Sequence, residues 1–299
     1  MLSYINLAGR AAALSMEGKL SKLDRSTALK HYAPYILRSG LHVRAQTSYS
    51  RQIEPNFDRE KIEAAASIGY NFSEWVRLAC SYKFRRTTLS NLPLDLQDIY
   101  CGEHFNLYGL ELAADFRDNQ IYTRRGIYGA VNGAISNPKG FGKADFLRGG
   151  FDFRAYRDFL SKVVAAVQIK SGSLLKLDLE TIPLEERFFL GGTNSLRGYD
   201  RNSLGPQTSL GTPQGGNFYY FIRSEIRADV YLPVFIKIFI DNGALYKSLS
   251  ASRIDGTSTS AGLGIGALWG VWSARLEYAW RLEDTIKPGR IHFQVGQAF

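Results

Sequence analysis

Short segments in which apolar and polar residues alternate recur along almost the whole chain, and they constrain its fold more than any other feature. Successive side chains of a β-strand point to opposite faces, so a period of two indicates a strand with one apolar and one polar face. A clear example places on one face Val234, Ile236, Ile238 and Ile240. Lys237 and Asp241 lie on the other face. About fifteen such segments of roughly ten residues predict an all-β protein.

Apolar faces of this kind suit either a soluble two-sheet sandwich or a barrel in a membrane. In a sandwich, the aromatic side chains would point into the core between the sheets. Several aromatic residues instead lie on apolar faces near predicted strand ends, as in the girdles at a membrane interface: Trp269, Trp272, Tyr278 and Trp280. The chain has no run of the roughly 18 apolar residues that a membrane helix needs. We therefore expect a transmembrane antiparallel β-barrel of about 15–16 strands.

The formal net charge of +9 would permit nucleic acid or an anionic surface as a partner. However, the Lys and Arg residues are spread along the chain without a dense cluster, and they tend to occupy one face of the predicted strands. This distribution favours a charged barrel lumen. Nucleic acid is not expected to be a partner.

Residues that commonly carry catalysis or bind metals form no recognisable site in the sequence. The four histidines are scattered at His31, His42, His104 and His292. The two cysteines, Cys80 and Cys101, do not fit a metal-binding spacing. Zinc-protease, nucleophile-elbow and phosphate-loop motifs are missing. We expect no metal, no cofactor and no enzymatic activity.

One glycine-rich stretch interrupts the alternation, and a strand near Glu185 to Leu190 is expected to lead into it. Residues 188–206 read FFLGGTNSLRGYDRNSLGP. The glycines permit backbone turns that other residues resist. Arg197 carries a planar cation with five donors, which needs carboxylate partners if it is enclosed. The stretch is therefore either a loop that folds back and docks its arginine or a surface hairpin with a solvated arginine.

This stretch resembles the arginine-glycine-aromatic motif on the long sixth extracellular loop of the BamA/TamA family. These outer-membrane β-barrels insert other barrel proteins or help to export them. The matching pattern is FLGGxNSLRGYxxxSLGP, in which the motif is Arg197, Gly198 and Tyr199. A second similar segment runs from Asp115 to Asn119 and continues at Arg125-Gly126. The resemblance implies that the loop folds into the barrel lumen.

The resemblance also implies acidic partners for Arg197, namely Glu225 and Asp241. These residues lie in the segments SEIR and FIDNG, on the polar faces of the two strands that follow the loop. Hydrogen bonds between a guanidinium and a carboxylate can be bidentate and directional. In the alternative arrangement, the two acids pair only with the neighbouring Arg223 and Lys237.

The last nine residues, IHFQVGQAF, alternate and end on an aromatic side chain. They resemble the bacterial β-signal, the strand that the barrel-assembly machinery recognises. In the family, the last strand also forms a seam with the first strand, and this seam opens laterally so that a client strand can pair with it. The resemblance assigns Phe293, Gly296 and Phe299 to this signal and seam. A plain final strand without a gate is the alternative.

The resemblance covers nearly the whole chain but only the barrel part of the family. We therefore expect residues 1–299 to form a single transmembrane β-barrel domain. We also expect this sequence to be a fragment or a naturally shortened form that lacks the family's first strand and N-terminal POTRA repeats. The implied location is the bacterial outer membrane.

The implied function is to assemble, insert or translocate client β-barrel or autotransporter proteins through the lateral seam. Its implied partners are outer-membrane lipids, unfolded β-barrel clients, and periplasmic or lipoprotein assembly proteins. Two alternatives stay open. One is a passive porin-like channel whose lumen arginines set anion preference, and the other is a mitochondrial sorting-and-assembly barrel.

Overall fold

The structure is a computed structural model, and it describes residues 2–7, 12–22, 24–34, 40–55, 57–99, 104–136, 145–177, 182–231, 233–251, 256–270, 272–283 and 289–296. A single antiparallel sheet contains fifteen strands, and each strand pairs with its neighbours in chain order. The strands are β1 (Leu2–Leu7), β2 (Ala12–Leu20), β3 (Asp24–Ala33), β4 (Leu41–Ile53), β5 (Asp58–Asn71), β6 (Val76–Ser90), β7 (His104–Asp115), β8 (Gly126–Ser136), β9 (Phe146–Leu160), β10 (Val163–Lys176), β11 (Phe218–Tyr231), β12 (Val234–Tyr246), β13 (Ser258–Trp269), β14 (Trp272–Arg281) and β15 (Arg290–Gly296).

Short 3-10 helices at Leu94–Ile99, Leu184–Glu186 and Leu249–Ala251 lie between strands. No helix among the described residues is long and apolar enough to span a membrane. The all-β class and the strand number expected from the alternation are confirmed.

The alternation in β12 shows how the sequence produces two unlike faces. Its outward side chains are about half exposed: Ile236, Ile238 and Ile240. Its inward side chains are at most 3% exposed: Phe235, Lys237, Phe239 and Asp241. A sheet with an apolar outer face and charged side chains inside is the reverse of a soluble sandwich and matches a barrel in lipid.

The sheet curls around the connection between β10 and β11. We call residues 182–217, the described part of this connection, the lumen loop. Its residues contact strands that lie far apart in the sheet, including β6 and β9 on one side and β12 to β15 on the other. The loop therefore occupies the inside of the barrel.

The prediction of a strand near Glu185 to Leu190 is wrong. Glu185 and Glu186 lie in the 3-10 helix that follows Pro183. The backbone of the lumen loop pairs only at isolated bridges, such as Phe188 with Gly216 and Leu190 with Leu204. Alternation in a short segment is not sufficient to form a strand when no neighbouring strand offers it a continuous ladder of hydrogen bonds.

The two ends of the barrel differ. Most connections at one end are short, such as Ser161 and Lys162 between β9 and β10, whereas the lumen loop enters from the other end. Large outward aromatic side chains collect at the end with the shorter connections: Phe72, Trp75, Phe116, Phe159, Tyr231, Trp269 and Trp272. A ring of this kind at strand ends is typical of a membrane interface.

β1 and β15 form the two edges of the sheet. β1 pairs only with β2, and β15 pairs only with β14, within the described ranges. Both strands are short, with 6 and 7 residues. Gly296 is the last residue of β15 and pairs with Ser273. Phe299 lies outside the described residues.

Candidate functional site

Arg197 of the lumen loop is 3% exposed and makes a bidentate ion pair with Asp241 on β12. Its Nε donates to Oδ2 of Asp241 at 2.7 Å, and its Nη2 donates to Oδ1 at 2.5 Å. The backbone N–H of Arg197 donates to the same carboxylate at 3.1 Å. Asp241 is fully buried. Three donors from one residue therefore converge on a carboxylate that water does not reach, which makes the contact strong and directional.

Two further carboxylates lie beside this pair. Nη1 of Arg197 is 3.4 Å from Glu277 on β14 and 3.7 Å from Glu225 on β11. Nζ of Lys237 is 3.2 Å from Glu225 and also pairs with Glu277. We call Arg197, Glu225, Lys237, Asp241 and Glu277 the charge cluster. Asp241 thus bonds Arg197 directly, whereas Glu225 lies at the margin of the cluster and is nearer to Lys237.

The electrostatics of the charge cluster keep Arg197 ionised. Burial by itself lowers the pKa of Arg197, but the hydrogen bonds and charge of Asp241, together with the charges of Glu277 and Glu225, raise this pKa above its usual range. Arg223, the alternative partner considered for the acids, instead donates to the backbone carbonyls of Ser195 and Thr193 at 2.7 and 2.8 Å. Two wall residues of opposite charge, Asp241 and Arg223, therefore hold adjacent parts of the loop.

An aromatic ring packs against the guanidinium of Arg197. The guanidinium carbon lies 3.4 Å from the ring centroid of Phe239, which gives a cation–π contact. The ring in turn lies over Gly262 on β13, where an added Cβ would be 2.3 Å from the ring. A glycine at position 262 therefore leaves the space that the ring needs beneath Arg197.

Gly198 links the arginine motif to the last strand. Its φ of 87° lies in the region that favours glycine, and an added Cβ would be 3.3 Å from Ser260. Its N–H donates to Nε2 of His292 on β15 at 3.0 Å, and its carbonyl accepts from Arg281 at 2.9 Å. Because Nε2 accepts, the imidazole is neutral, and Nδ1 carries the proton beside the hydroxyl of Thr193 at 3.1 Å.

Tyr199 completes the motif with both a polar and an apolar contact. Its hydroxyl donates to the carbonyl of Thr259 at 3.1 Å and also contacts the carboxylate of Glu283. Its ring is 6% exposed and packs in an apolar cluster with Leu196 and Phe221. All three residues of the predicted motif therefore contact the barrel wall.

The lumen loop is also anchored on the opposite side of the barrel. Glu186 is buried, and its carboxylate accepts from Arg85 on β6 at 2.8 and 3.1 Å and from Arg148 on β9 at 3.2 Å. Arg201 donates to Glu54 at 2.8 Å. The loop thus spans the lumen, with an arginine bonded to acids on one side and a glutamate bonded to arginines on the other.

The predicted seam residue Phe293 lies apart from the arginine motif. Its side chain is 69% exposed on the outer face of β15, between Ile291 and Val295, which point the same way. His292 points inward to Gly198. Strand β15 therefore connects the outward seam residue Phe293 with the arginine motif, because neighbouring residues of one strand face lipid and lumen in turn.

Several contacting residues were not singled out as site residues from the sequence, among them Glu186, Phe239, Glu277 and His292. The last three occupy inward positions in clearly alternating strands, so alternation placed them in the lumen without identifying their partners. Nothing in the local sequence marks Glu186. Within the described ranges, no group of His, Cys, Asp and Glu side chains has the arrangement of a metal site.

Comparison with known proteins places this geometry in a family. The model of the Omp85 superfamily domain matches residues 6–299. The outer membrane protein assembly factor BamA of Nitratidesulfovibrio vulgaris is 23% identical over 310 residues, which cover 98% of this chain and 39% of that relative. The human sorting and assembly machinery component 50 homolog is 29% identical over 109 residues, which cover 36% of this chain and 23% of that protein.

The fold is also that of a solved structure. The crystal structure of BamA from Haemophilus ducreyi lacking POTRA domains 1–3 superposes with a TM-score of 0.81 at 14% identity, over 99% of this chain and 66% of that one. The chain thus spans well under half the length of the curated relatives named above. The resemblance of the arginine motif to the BamA/TamA family is confirmed at the level of the whole domain. The chain belongs to the Omp85 superfamily and is a β-barrel of the bacterial outer membrane.

Proposed function

We propose that this barrel assists the insertion or translocation of client β-barrel proteins by pairing a client strand with the free edge of β15. The observation that carries the proposal is the arginine motif bonded inside the lumen of an Omp85-superfamily barrel. One relative is named an outer membrane protein assembly factor, and another is named a component of a sorting and assembly machinery. A role in assembly is common to both names.

The edge of β15 is suited to strand addition. A strand edge exposes unpaired N–H and C=O groups, which can form a new antiparallel ladder with an extended segment. The outer face of β15 is apolar at Ile291, Phe293 and Val295, so a client strand added there would continue the lipid-facing surface. The glycine at 296 reduces side-chain packing at the end of the strand.

The lumen loop would hold this edge in place from inside. Arg197 bonds to β12, lies beside Glu277 on β14, and is followed by Gly198, which bonds to β15. These contacts fix β12, β14 and β15 relative to one another, and the outer edge of β15 has no neighbouring strand among the described residues. The exchange of backbone hydrogen bonds needs no catalytic group, so we infer a non-enzymatic function whose partners are lipids, unfolded clients and accessory assembly proteins.

A passive channel is the less favoured alternative. A porin needs an open lumen lined with charges, but it has no need of a loop bonded to both sides of that lumen. Here Arg197 and Glu186 are both buried in ion pairs across the barrel from each other. The loop contacts therefore support an assembly function over free diffusion of solutes.

Site-directed photo-crosslinking tests the proposed contact with clients. A benzophenone side chain introduced at Phe293 on β15 should crosslink to an unfolded β-barrel client during its insertion. The control is Ile236 on β12, whose outward side chain is about half exposed but lies three strands away from the edge of the sheet. Crosslinks at Ile236 that equal those at Phe293 would show that clients do not use the β15 edge.

A further inference from the structure

A polar cavity of about 450 Å³ lies in the lumen between the lumen loop and the strands from β5 to β9. Six cationic side chains line it: Arg59, Lys61, Lys83, Arg85, Arg148 and Arg187. Three carboxylates, Glu111, Glu185 and Glu186, line it too. We call this the cation cavity. It lies on the side of the barrel away from Asp241, and the arginine motif does not use it.

Two of the three carboxylates that line the cation cavity, and one carboxylate nearby, form ion pairs with arginines. Glu186 accepts from Arg85 and Arg148. Glu111 pairs with Arg77 at 3.1 Å. Glu63, on the wall nearby, accepts from Arg85 at 3.0 Å. With Glu185 included, the lining carries six cationic side chains against three carboxylates, an excess of three positive charges.

Three cations that line the cavity make no hydrogen bond to any residue in the described part of the chain. Arg59 stacks over Phe57 and lies in the field of nearby glutamates, but its Nε is buried without an acceptor. Lys61 reaches Glu63 only at 3.7 Å. Lys83 also makes no ion pair within these ranges. The Nε of Arg59 is a buried donor without an acceptor, which is costly, and the two lysines are partly buried. An anion that entered the cavity would accept hydrogen bonds from all three side chains.

The geometry favours an anion with more than one charged group. Arg59 and Lys61 project from β5, whereas Lys83 on β6 pairs with Ala65, four residues further along β5 than Lys61. At roughly 3.3 Å per residue, this offset separates Lys61 from Lys83 by about 13 Å along the wall. Guanidinium and ammonium groups are the usual protein partners of phosphate. We propose that the cation cavity binds a phosphate-bearing ligand with two or more negative charges, either a soluble oligophosphate or a lipid headgroup.

Calorimetric titration of the full chain in detergent micelles with inorganic pyrophosphate tests this site. Lys83→Gln should weaken binding by about tenfold or more, since a hydrogen bond to a charged group is lost. Lys170→Gln is the matched control, because Lys170 is a half-buried lumen lysine on β10 that does not line the cation cavity. Its affinity should equal that of the wild type. Absence of binding by the wild type, or equal weakening in both variants, would overturn the proposal.

A second measurement needs no variant and so does not depend on the folding of Lys83→Gln. Pyrophosphate should protect Lys61 and Lys83 of the wild-type chain from an amine-acetylating reagent, as read by peptide mass spectrometry, and should leave Lys170 unprotected. A parallel titration uses a short-chain phosphatidic acid. Stronger protection by this lipid would assign the site to a headgroup, stronger protection by pyrophosphate would assign it to a soluble ligand, and failure of both would refute it.

Discussion

Replacing Arg197 with alanine should release the lumen loop while leaving the barrel itself assembled. The change removes the two side-chain donors to Asp241 and the cation that lies beside Glu225 and Glu277. Asp241 is fully buried and would keep only the backbone N–H of residue 197. Removal of one partner of a buried ion pair costs on the order of 3–5 kcal/mol. The population of the undocked loop should therefore rise by about a hundredfold or more.

A half-exposed pair in the same lumen supplies the control. Arg77 and Glu111 lie 3.1 Å apart with side chains 39% and 42% exposed, so Arg77→Ala should cost only about 0–1 kcal/mol. A double-mutant cycle with Arg197→Ala and Asp241→Ala separates their interaction from other effects. The double variant should lose less free energy than the sum of the two single variants, because each single change already breaks the same contact.

Loop docking can be read by trypsin cleavage after Arg201, and barrel stability by the urea midpoint of tryptophan fluorescence in micelles. Arg197→Ala should be cleaved much faster than Arg77→Ala and should show a lower urea midpoint. If both variants were cleaved at the same rate and unfolded at the same urea concentration, the buried ion pair would not be what holds the loop.

Three further changes test the contacts around the arginine motif. Gly262→Ala places a Cβ 2.3 Å from the ring of Phe239 and should lower the free energy of unfolding by about 1–3 kcal/mol through overpacking. In the control Gly133→Ala the added Cβ meets no atom within 4 Å. Equal urea midpoints of these two variants would refute the argument. His292→Leu leaves the N–H of Gly198 without its acceptor, which should cost about 1–3 kcal/mol of stability. Amide hydrogen exchange in the peptide that contains Gly198 should therefore become faster. Unchanged exchange would argue against the link between the loop and β15. Glu186→Gln removes the charge from the second anchor and should cost about 1–3 kcal/mol, measured by the same urea titration; a wild-type midpoint would mean that this anchor contributes nothing.

The barrel was predictable because its physical cause repeats in every strand. The outward isoleucines of β12 alternate in the sequence with the inward Lys237 and Asp241, as the lipid-facing and lumen-facing sides of the strand alternate. The inward position of Asp241, joined to the resemblance of the loop motif, also pointed to the contact with Arg197. That contact was predictable because Arg197 belongs to the arginine motif and Asp241 belongs to an alternating strand, and each pattern can be recognised in the local sequence.

The path of the lumen loop was not predictable in the same way. The segment from Glu185 to Leu190 looked like a strand, but it forms a 3-10 helix and isolated bridges because no neighbouring strand extends alongside it. The contact of Glu186 with Arg85 and Arg148 joins residues 101 and 38 positions apart. Alternation assigns a side chain to a face, but only the folded loop determines which opposite wall it meets.

The most direct test of the central claim is the rate at which a urea-unfolded β-barrel client becomes heat-resistant in lipid vesicles that contain this chain. We predict faster conversion than in empty vesicles for the wild type and for Arg77→Ala, and a rate close to that of empty vesicles for Arg197→Ala. A wild-type rate no higher than that of empty vesicles would contradict the proposed role in client insertion.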